Sequence, residues 1–214
     1  GISYIFSQIK THALALDKKI AKSIAHTNGV RVAKSFEDTE LIQEPVVIKP
    51  QAGGSSEATY LCKDREEVLI KIAAHPGIQF LIEEALPGRE FTVGVLEING
   101  ELKAMEVVEV VATTGMFDYN SKYNPKELAQ GICPADISPE LKNELQQSAI
   151  TMHKALGAFH LTRTDFRLNA DGQPVFLETN TIPGMTTTSF IPNFVSKSGL
   201  TMPELFDYWI KTVE

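Results

Sequence analysis

The stretch RTDFRLNADGQPVFLETN, residues 163–180, decides how this chain is read. Two runs rich in β-formers flank Asp171-Gly172, a dipeptide that tolerates the positive φ angles of a tight hairpin turn. A two-residue turn there places Asp165 directly opposite Glu178, and Arg163 opposite Asn180. Opposed residues on one sheet face have Cβ atoms roughly 4.5–5.5 Å apart, and like charges at that spacing are unfavourable. A cation between them removes the problem. Asp165, Glu178 and Asn180 offer only oxygen donors, which suits Mg²⁺ or Mn²⁺ rather than zinc. For isolated acids a solvated hairpin face is the better reading. The flanking Phe166, Leu168, Phe176 and Leu177 instead mark the hairpin as largely buried, where unpaired carboxylates are costly.

Working back from the hairpin, Ser138-Pro139-Glu140 opens a helix, with Leu141, Leu145, Ala149, Met152, Leu156 and Phe159 at helical spacing. Residues 112–137 form a long irregular stretch, which inside a compact domain is usually a functional lid or a disordered segment. Before it lie strands at Gln79–Glu84 and Glu90–Ile98, then Asn99-Gly100 as a hairpin turn and a partner strand at Glu101–Val111. Asp64 and Glu67 form a capping box for a helix through Ala74, halted by Pro76. PVVIKP at 45–50 is a short strand feeding the loop QAGGSS, and extended structure resumes at ATYLC. Asp17 caps a helix whose stripe is Ile20, Ala21, Ile24 and Ala25, with Gly29 at its end. Past residue 180, Thr201 and Glu204 cap a final helix whose apolar face is Leu205, Phe206, Trp209, Ile210 and Val213. The fold class is α+β with antiparallel hairpins.

Lys18 opens the first helix, and Lys49 ends a strand just before Gly53-Gly54-Ser55-Ser56. Glycines let backbone N–H groups approach an anion, and lysines add point charges, so these residues form a candidate phosphate cradle. The pattern is not GxxxxGKS, and a glycine-serine loop alone is more often a linker. Apolar side chains beside Glu83 and Glu84 suit a sandwiched base whose amino group an acid accepts from; a strand–turn–strand with surface acids is the plainer reading of that segment by itself. His160 reads as structural or exposed.

Bulk properties narrow the class. The chain has 214 residues, 43% hydrophobic and 22% charged, and a formal charge of −7. That balance disfavours nucleic acid and membrane surfaces as partners. No apolar run spans a bilayer, and two separated cysteines read as thiols in a reducing cytosol, so the expected location is the cytoplasm. Two cysteines, Cys62 and Cys133, far apart, indicate neither a disulfide scaffold nor a thiolate metal site.

Taken together, the motifs resemble the D-alanine–D-alanine ligase branch of the ATP-grasp superfamily. The matching pieces are LDK at 16–18, VIKP at 47–50, GSS at 54–56, IEEALPGREFTVGVL at 82–96, FDYNSKY at 117–123, CPADI at 133–137, RTDF at 163–166 and FLETNTIPGMTTTSFIP at 176–192. They run through the chain from about residue 11 onward. The resemblance implies an ATP-grasp fold, with two α+β subdomains whose antiparallel sheets enclose the nucleotide. It implies a small central subdomain at 11–84 after a residual linker at 1–10, and a large C-terminal catalytic subdomain at 85–214. By the same resemblance the family's N-terminal ligase domain, with an acid that helps bind the first alanine, is expected to lie outside residues 1–214.

The resemblance also implies roles. Lys18 and Lys49 hold ATP phosphates, with Ser55 and Ser56 in the closing loop. Glu83, Glu84 and Leu86 fall at adenine positions and Glu90 at the ribose position. Asp165, Glu178 and Asn180 match the ligands of two Mg²⁺ ions, or Mn²⁺. Arg163 faces the reacting carboxyl and transferred phosphate. Lys122, Gly184, Ser189 and Phe190 match the pocket for the second alanine, and Tyr123 matches a lid tyrosine that favours the dipeptide. The implied reaction joins two D-alanines through an acyl phosphate for peptidoglycan precursors, and the family is usually dimeric. Other carboxylate–amine specificity, or nucleotide binding without turnover, are the competing readings. One departure stands out. Glu57-Ala58 follows GSS where the family shows a small apolar residue and glycine, which sets a carboxylate near the triphosphate and stiffens the loop.

Overall fold

The 163–180 hairpin forms, but with a longer bend than a two-residue turn. In the computed structural model, which describes residues 3–53, 58–111, 130–186, 189–197 and 199–213, Asn169 N–H donates to the Gln173 carbonyl at 3.0 Å. Three residues, 170–172, are thus left in the loop. The Asn169 side chain accepts from the backbone N–H groups of Asp171 and Gln173, and Gly172 sits at φ 75°. Strand β8 (Leu161–Leu168) then pairs with β9 (Pro174–Asn180) as Leu168↔Pro174, Arg167↔Val175 and Phe166↔Phe176. That register alone would put Leu177 opposite Asp165. A β-bulge between Asp165 and Phe166 shifts the ladder, restoring Asp165↔Glu178 and Arg163↔Asn180.

All paired strands run antiparallel, in two sheets. The small sheet has the order β2-β1-β3, with β1 Val46–Pro50, β2 Tyr60–Cys62 and β3 Phe80–Glu84. Helix α3 (Arg65–Ala73), capped by Asp64 accepting from Glu67 N–H, covers it. The core there is Phe36, Ile42, Val46, Ile48, Cys62, Val68 and Ile82. The large sheet has the order β7-β6-β4-β8-β9 around β4 (Glu90–Ile98). The single partner strand expected at 101–111 is two strands, β5 (Glu101–Ala104) and β6 (Val108–Val111), at opposite ends of β4. Met105–Val107 break the ladder between them, and Met105 and Val107 are buried on different faces. Residues 130–132, expected as irregular, form β7 beside β6.

Alternation along β4 sorts the large sheet into two faces. Phe91, Val93 and Val95 pack with Phe166, Phe176 and helix α4 (Pro139–Ala155). Ser138 caps α4 by accepting from Leu141 N–H, and Leu145, Ala149, Met152 and Leu156 are buried, whereas Phe159 lies beyond the helix and is 52% exposed. Helices α1 (Ile9–Leu16) and α2 (Lys18–Thr27) also cover this face, since Ala15, Ala21 and Ala25 share its core. They precede the small sheet in sequence yet pack on the large one. The other face carries α5 (Phe190–Lys197) and α6 (Met202–Val213), around Leu96, Leu161, Phe194 and Trp209. Of the apolar face expected on α6, Leu205 and Trp209 are buried and Ile210 is 45% exposed. His160 is buried and structural: its ring stacks on Trp209 and accepts from Phe6 N–H at 2.9 Å.

Segment 30–36 stitches the sheets together. Phe176 N–H donates to the Arg31 carbonyl, Glu84 N–H to the Lys34 carbonyl, and Phe36 N–H to the Ile82 carbonyl. One extended segment therefore borders β9 on one side and β3 on the other, and a cleft opens between the two sheets. Among the described residues no helix is long and apolar enough to cross a membrane.

Candidate active site

The cleft, about 1280 Å³, is lined from the small sheet by Val47, Lys49 and Glu83 and from the large sheet by Arg163, Asp165 and Glu178. Lys18, Glu84, Leu86, Glu90, Asn180 and Phe190 also face it. Most of the expected site residues are thus gathered from distant parts of the chain into one space. Gly184 and Ser189 stand together outside that lining: a Cβ on Gly184 would lie 2.8 Å from Ser189 Oγ, and Thr186 Oγ1 is 2.8 Å from the same hydroxyl. Ser55, Ser56, Lys122 and Tyr123, with Glu57, lie outside the described residues.

Helix α2 carries the first cation. Asp17 caps it, accepting from the N–H groups of Lys19 and Ile20, while its other oxygen accepts from Gln51 Nε2. Lys18 N–H donates to the Gln51 carbonyl and Lys18 Nζ to the Gly53 carbonyl at 2.7 Å. The helix start is thereby fixed to the beginning of the glycine loop. Burial pulls the Lys18 ammonium below its ordinary value, an effect that Glu178, 3.8 Å away, opposes.

The face of α2 turned inward keeps Ala21, Ala25 and the partly buried Ile24 of the expected stripe, but Ile20 is 43% exposed. Lys18, Ala21, Lys22 and Ala25 are the buried residues, at i, i+3, i+4 and i+7. Lys22 is a site residue that reading the sequence missed. Its Nζ lies 2.7 Å from Glu83 Oε1 and donates to the Phe176 carbonyl at 3.1 Å. Glu83 Oε2 in turn lies 2.7 Å from Lys49 Nζ. Burial drives Lys22 down to about 8, with the nearby Lys49 charge acting in the same direction and Glu83 against it. Burial alone would raise the Glu83 carboxyl, but Lys49 and Lys22 outweigh it and hold it below its usual value.

On the large sheet, alternation brings Arg163, Asp165 and Arg167 of β8 to the cleft face. Arg163 holds Asp165 through two bonds, Nε to Oδ1 at 3.0 Å and Nη2 to Oδ2 at 2.8 Å, and Thr92 Oγ1 donates to Oδ1 at 2.6 Å. The Asp165 charge raises the Arg163 guanidinium above its ordinary value. The opposed carboxylates therefore have protein cations beside them, Arg163 at Asp165 and Lys18 at Glu178, so like-charge repulsion by itself does not demand a metal. The donor set still fits a hard divalent ion, with two carboxylates and the Asn180 carboxamide from one hairpin. Asn180 Oδ1 also accepts from Ile182 N–H. Among the described residues no three acids, histidines or cysteines converge as a ready-made cage.

The bulge adds Leu177 to the cleft, beside Ala33 and Leu86, which form a small apolar cluster with Val175. Leu177 was expected only as part of a buried hairpin and Ala33 was not singled out, because an apolar residue in or beside a strand reads as core. Across the sheet Glu90 pairs with Arg167, Nη1 to Oε2 at 3.7 Å, and Arg167 Nε donates to the Gly88 carbonyl. The cleft thus combines an apolar patch of Ala33, Leu86 and Leu177 with lysines, arginines and carboxylates.

Comparison with known proteins agrees. The family described as D-ala D-ala ligase C-terminus matches residues 20–211. The D-alanine–D-alanine ligase of Desulfotalea psychrophila is 37% identical over 227 residues, spanning 99% of this chain and 70% of that relative. Among solved structures, the VanG D-Ala:D-Ser ligase of Enterococcus faecalis superposes with a TM-score of 0.85 at 30% identity, over 98% of this chain and 65% of that one. D-alanyl-alanine synthetase A of Vibrio cholerae gives a TM-score of 0.87 at 25% identity, over all of this chain and 69% of that one. This chain belongs to the D-alanine–D-alanine ligase family of ATP-dependent ligases and carries the C-terminal, ATP-grasp part of its fold.

Proposed function

We propose that this chain binds ATP between its two sheets and joins two D-alanines through an acyl phosphate, making the dipeptide for peptidoglycan precursors in the cytoplasm. The observation that supports this most is the convergence of Lys18 and Lys49 with Arg163, Asp165 and Glu178 on one cleft, from two different sheets. Ala33, Leu86 and Leu177 suit the faces of the base, Glu83 and Glu84 its amino group, and Glu90 the ribose. Lys18 and Lys49 offset the charge of the phosphates. Asp165, Glu178 and Asn180 would hold Mg²⁺ or Mn²⁺, which supplies charge neutralisation at the phosphates when bound.

In the first step a D-alanine carboxylate oxygen attacks the γ-phosphorus, and the bond to the β-phosphate oxygen breaks to release ADP. In the second the amine of another D-alanine attacks the acyl carbon, phosphate leaves with the electron pair of the broken C–O bond, and the amine proton passes to solvent. Arg163, oriented by its two bonds to Asp165, stabilises the negative charge that develops on the transferring group. Gly184, Ser189 and Phe190, with Lys122 and Tyr123 from the lid, take the second substrate's carboxylate and shield the site.

D-alanine-dependent phosphate release tests this, with and without the segment that makes up the relatives' remaining length. Arg163→Met is expected to lower kcat about 100-fold, the scale of losing one preorganised charge-stabilising group. Equal turnover with D-serine or another amine in place of the second D-alanine supports a ligase of different specificity. ATP binding without turnover in either form points to a nucleotide-binding module and refutes the ligase reading.

A further inference from the structure

We propose that Lys22 is a positioning residue, one that acts through Glu83 to leave the charge of Lys49 available to a nucleotide's outer phosphates. This rests on the cleft being a nucleotide site. Lys22 is not among the cleft-lining residues and is 5% exposed, so it touches no substrate there. It stands behind Glu83, which is 2% exposed and divides its carboxylate between two lysines, Oε1 to Lys22 and Oε2 to Lys49, each at 2.7 Å. Of these three charges only Lys49 and Glu83 reach the cleft.

The charge count decides what Lys22 does. Glu83 with Lys49 alone is a neutral pair, and a phosphate entering the cleft would meet a lysine already matched by its own carboxylate. Adding Lys22 leaves the trio at one net positive charge, displayed at the cleft by Lys49. Burying a lysine is costly unless it is paired and hydrogen-bonded, and here both conditions are met. Its anchor matters as well. The Phe176 carbonyl belongs to β9 of the large sheet, at 3.1 Å, while Glu83 belongs to β3 of the small one. The same ammonium therefore fixes the Glu83 carboxylate relative to the strand that carries Glu178, and Glu83 fixes Lys49.

The test measures binding by the whole chain, in magnesium buffer, of AMP and of the non-hydrolysable ATP analogue adenosine 5′-(β,γ-imido)triphosphate. The readout is the ratio of the two affinities, because damage to the base pocket or a general loss of stability moves both nucleotides alike. Lys22→Met is expected to weaken the triphosphate about tenfold and AMP less than about threefold, a tenfold change being about 1.4 kcal/mol. The double variant Lys22→Met with Glu83→Gln removes the carboxylate that Lys22 offsets, so it is expected to recover most of the lost ratio. A Lys22→Met ratio equal to that of the unaltered chain, or no recovery in the double variant, overturns the proposal. If Lys22→Met does not fold, Glu83→Gln alone decides: its ratio stays at or above the unaltered value, and a tenfold fall overturns the idea. Failure of the unaltered chain to bind either nucleotide would sink the nucleotide-site reading along with it.

Discussion

His153 contributes to how this protein responds to acid, and the size of its share follows from where the ring sits. It projects from α4 toward β8, the strand bearing Arg163 and Asp165, with 1% exposure and Nδ1 2.9 Å from Thr162 Oγ1. Burial drives its pKa from 6.5 to about 4, with His160 and Lys154 adding to the effect. The sign follows from proton counting. Below pH 6.5 the unfolded chain takes up a proton that the folded chain refuses until about pH 4, so stability is intact above that window and falls as pH drops through it. At about 1.4 kcal/mol per unit, the full loss is about 3 kcal/mol, and roughly 2 kcal/mol of it is gone by pH 5. The perturbation is His153→Gln, which keeps a polar group facing Thr162 and cannot titrate. The assay is urea unfolding of both proteins at pH 7.5, 6 and 5. Groups that do not interact with His153, including the depressed Glu83, titrate alike in both proteins and cancel in the difference. At pH 7.5 the variant is expected to be the less stable, having lost a fitted ring. By pH 5 the gap should have closed by about 2 kcal/mol. Parallel stability curves across that range would show that His153 is not held neutral by burial, and would refute the reasoning.

Two further outcomes are expected. A methyl group added by Gly94→Ala would stand 2.7 Å from Phe194 Cδ2, inside the core between β4 and α5, so the variant should lose about 1–3 kcal/mol and melt several degrees lower; an unchanged Tm would mean α5 is not seated on β4 as described. Leu177→Ala removes apolar wall but no charge, so KM for ATP should rise about tenfold with KM for D-alanine little changed, the magnitude coming from about 0.8 kcal/mol per buried methylene. A rise in both constants would place Leu177 elsewhere in the mechanism.

Much of the site was legible locally. The capping residues Asp17, Asp64, Ser138 and Thr201 all open helices, because a cap depends only on residues a few positions away. The pairing of Asp165 with Glu178 was also legible, although it arises differently from what a two-residue turn implies. The three-residue loop moves the register by one, and the bulge moves it back. Strict alternation from that turn puts Phe176 on the same face as Glu178. The bulge lets Phe176 join Phe91 and Phe166 in the core while Leu177 and Glu178 both look into the cleft. Only packing against α2 and α4 could require that. The strand expected across 101–111 divides for a similar reason, with Met105 and Val107 drawn to opposite faces of the sheet.

Side-chain periods and turn chemistry over a few residues account for the antiparallel α+β architecture and the helix starts, whereas Asp165 and Glu178 face each other because the bulge offsets the three-residue loop. Tertiary structure decided the electrostatics. Lys18 and Lys22 join Ala21 and Ala25 on the inward face of α2, and Ile20 of the expected stripe is left outside. Whether a lysine can be buried depends on whether a carboxylate arrives at the same place. Glu83 and Glu178 are brought there by strands far along the chain, so the energy that keeps those lysines inside belongs to the fold and cannot be read from their neighbours in sequence.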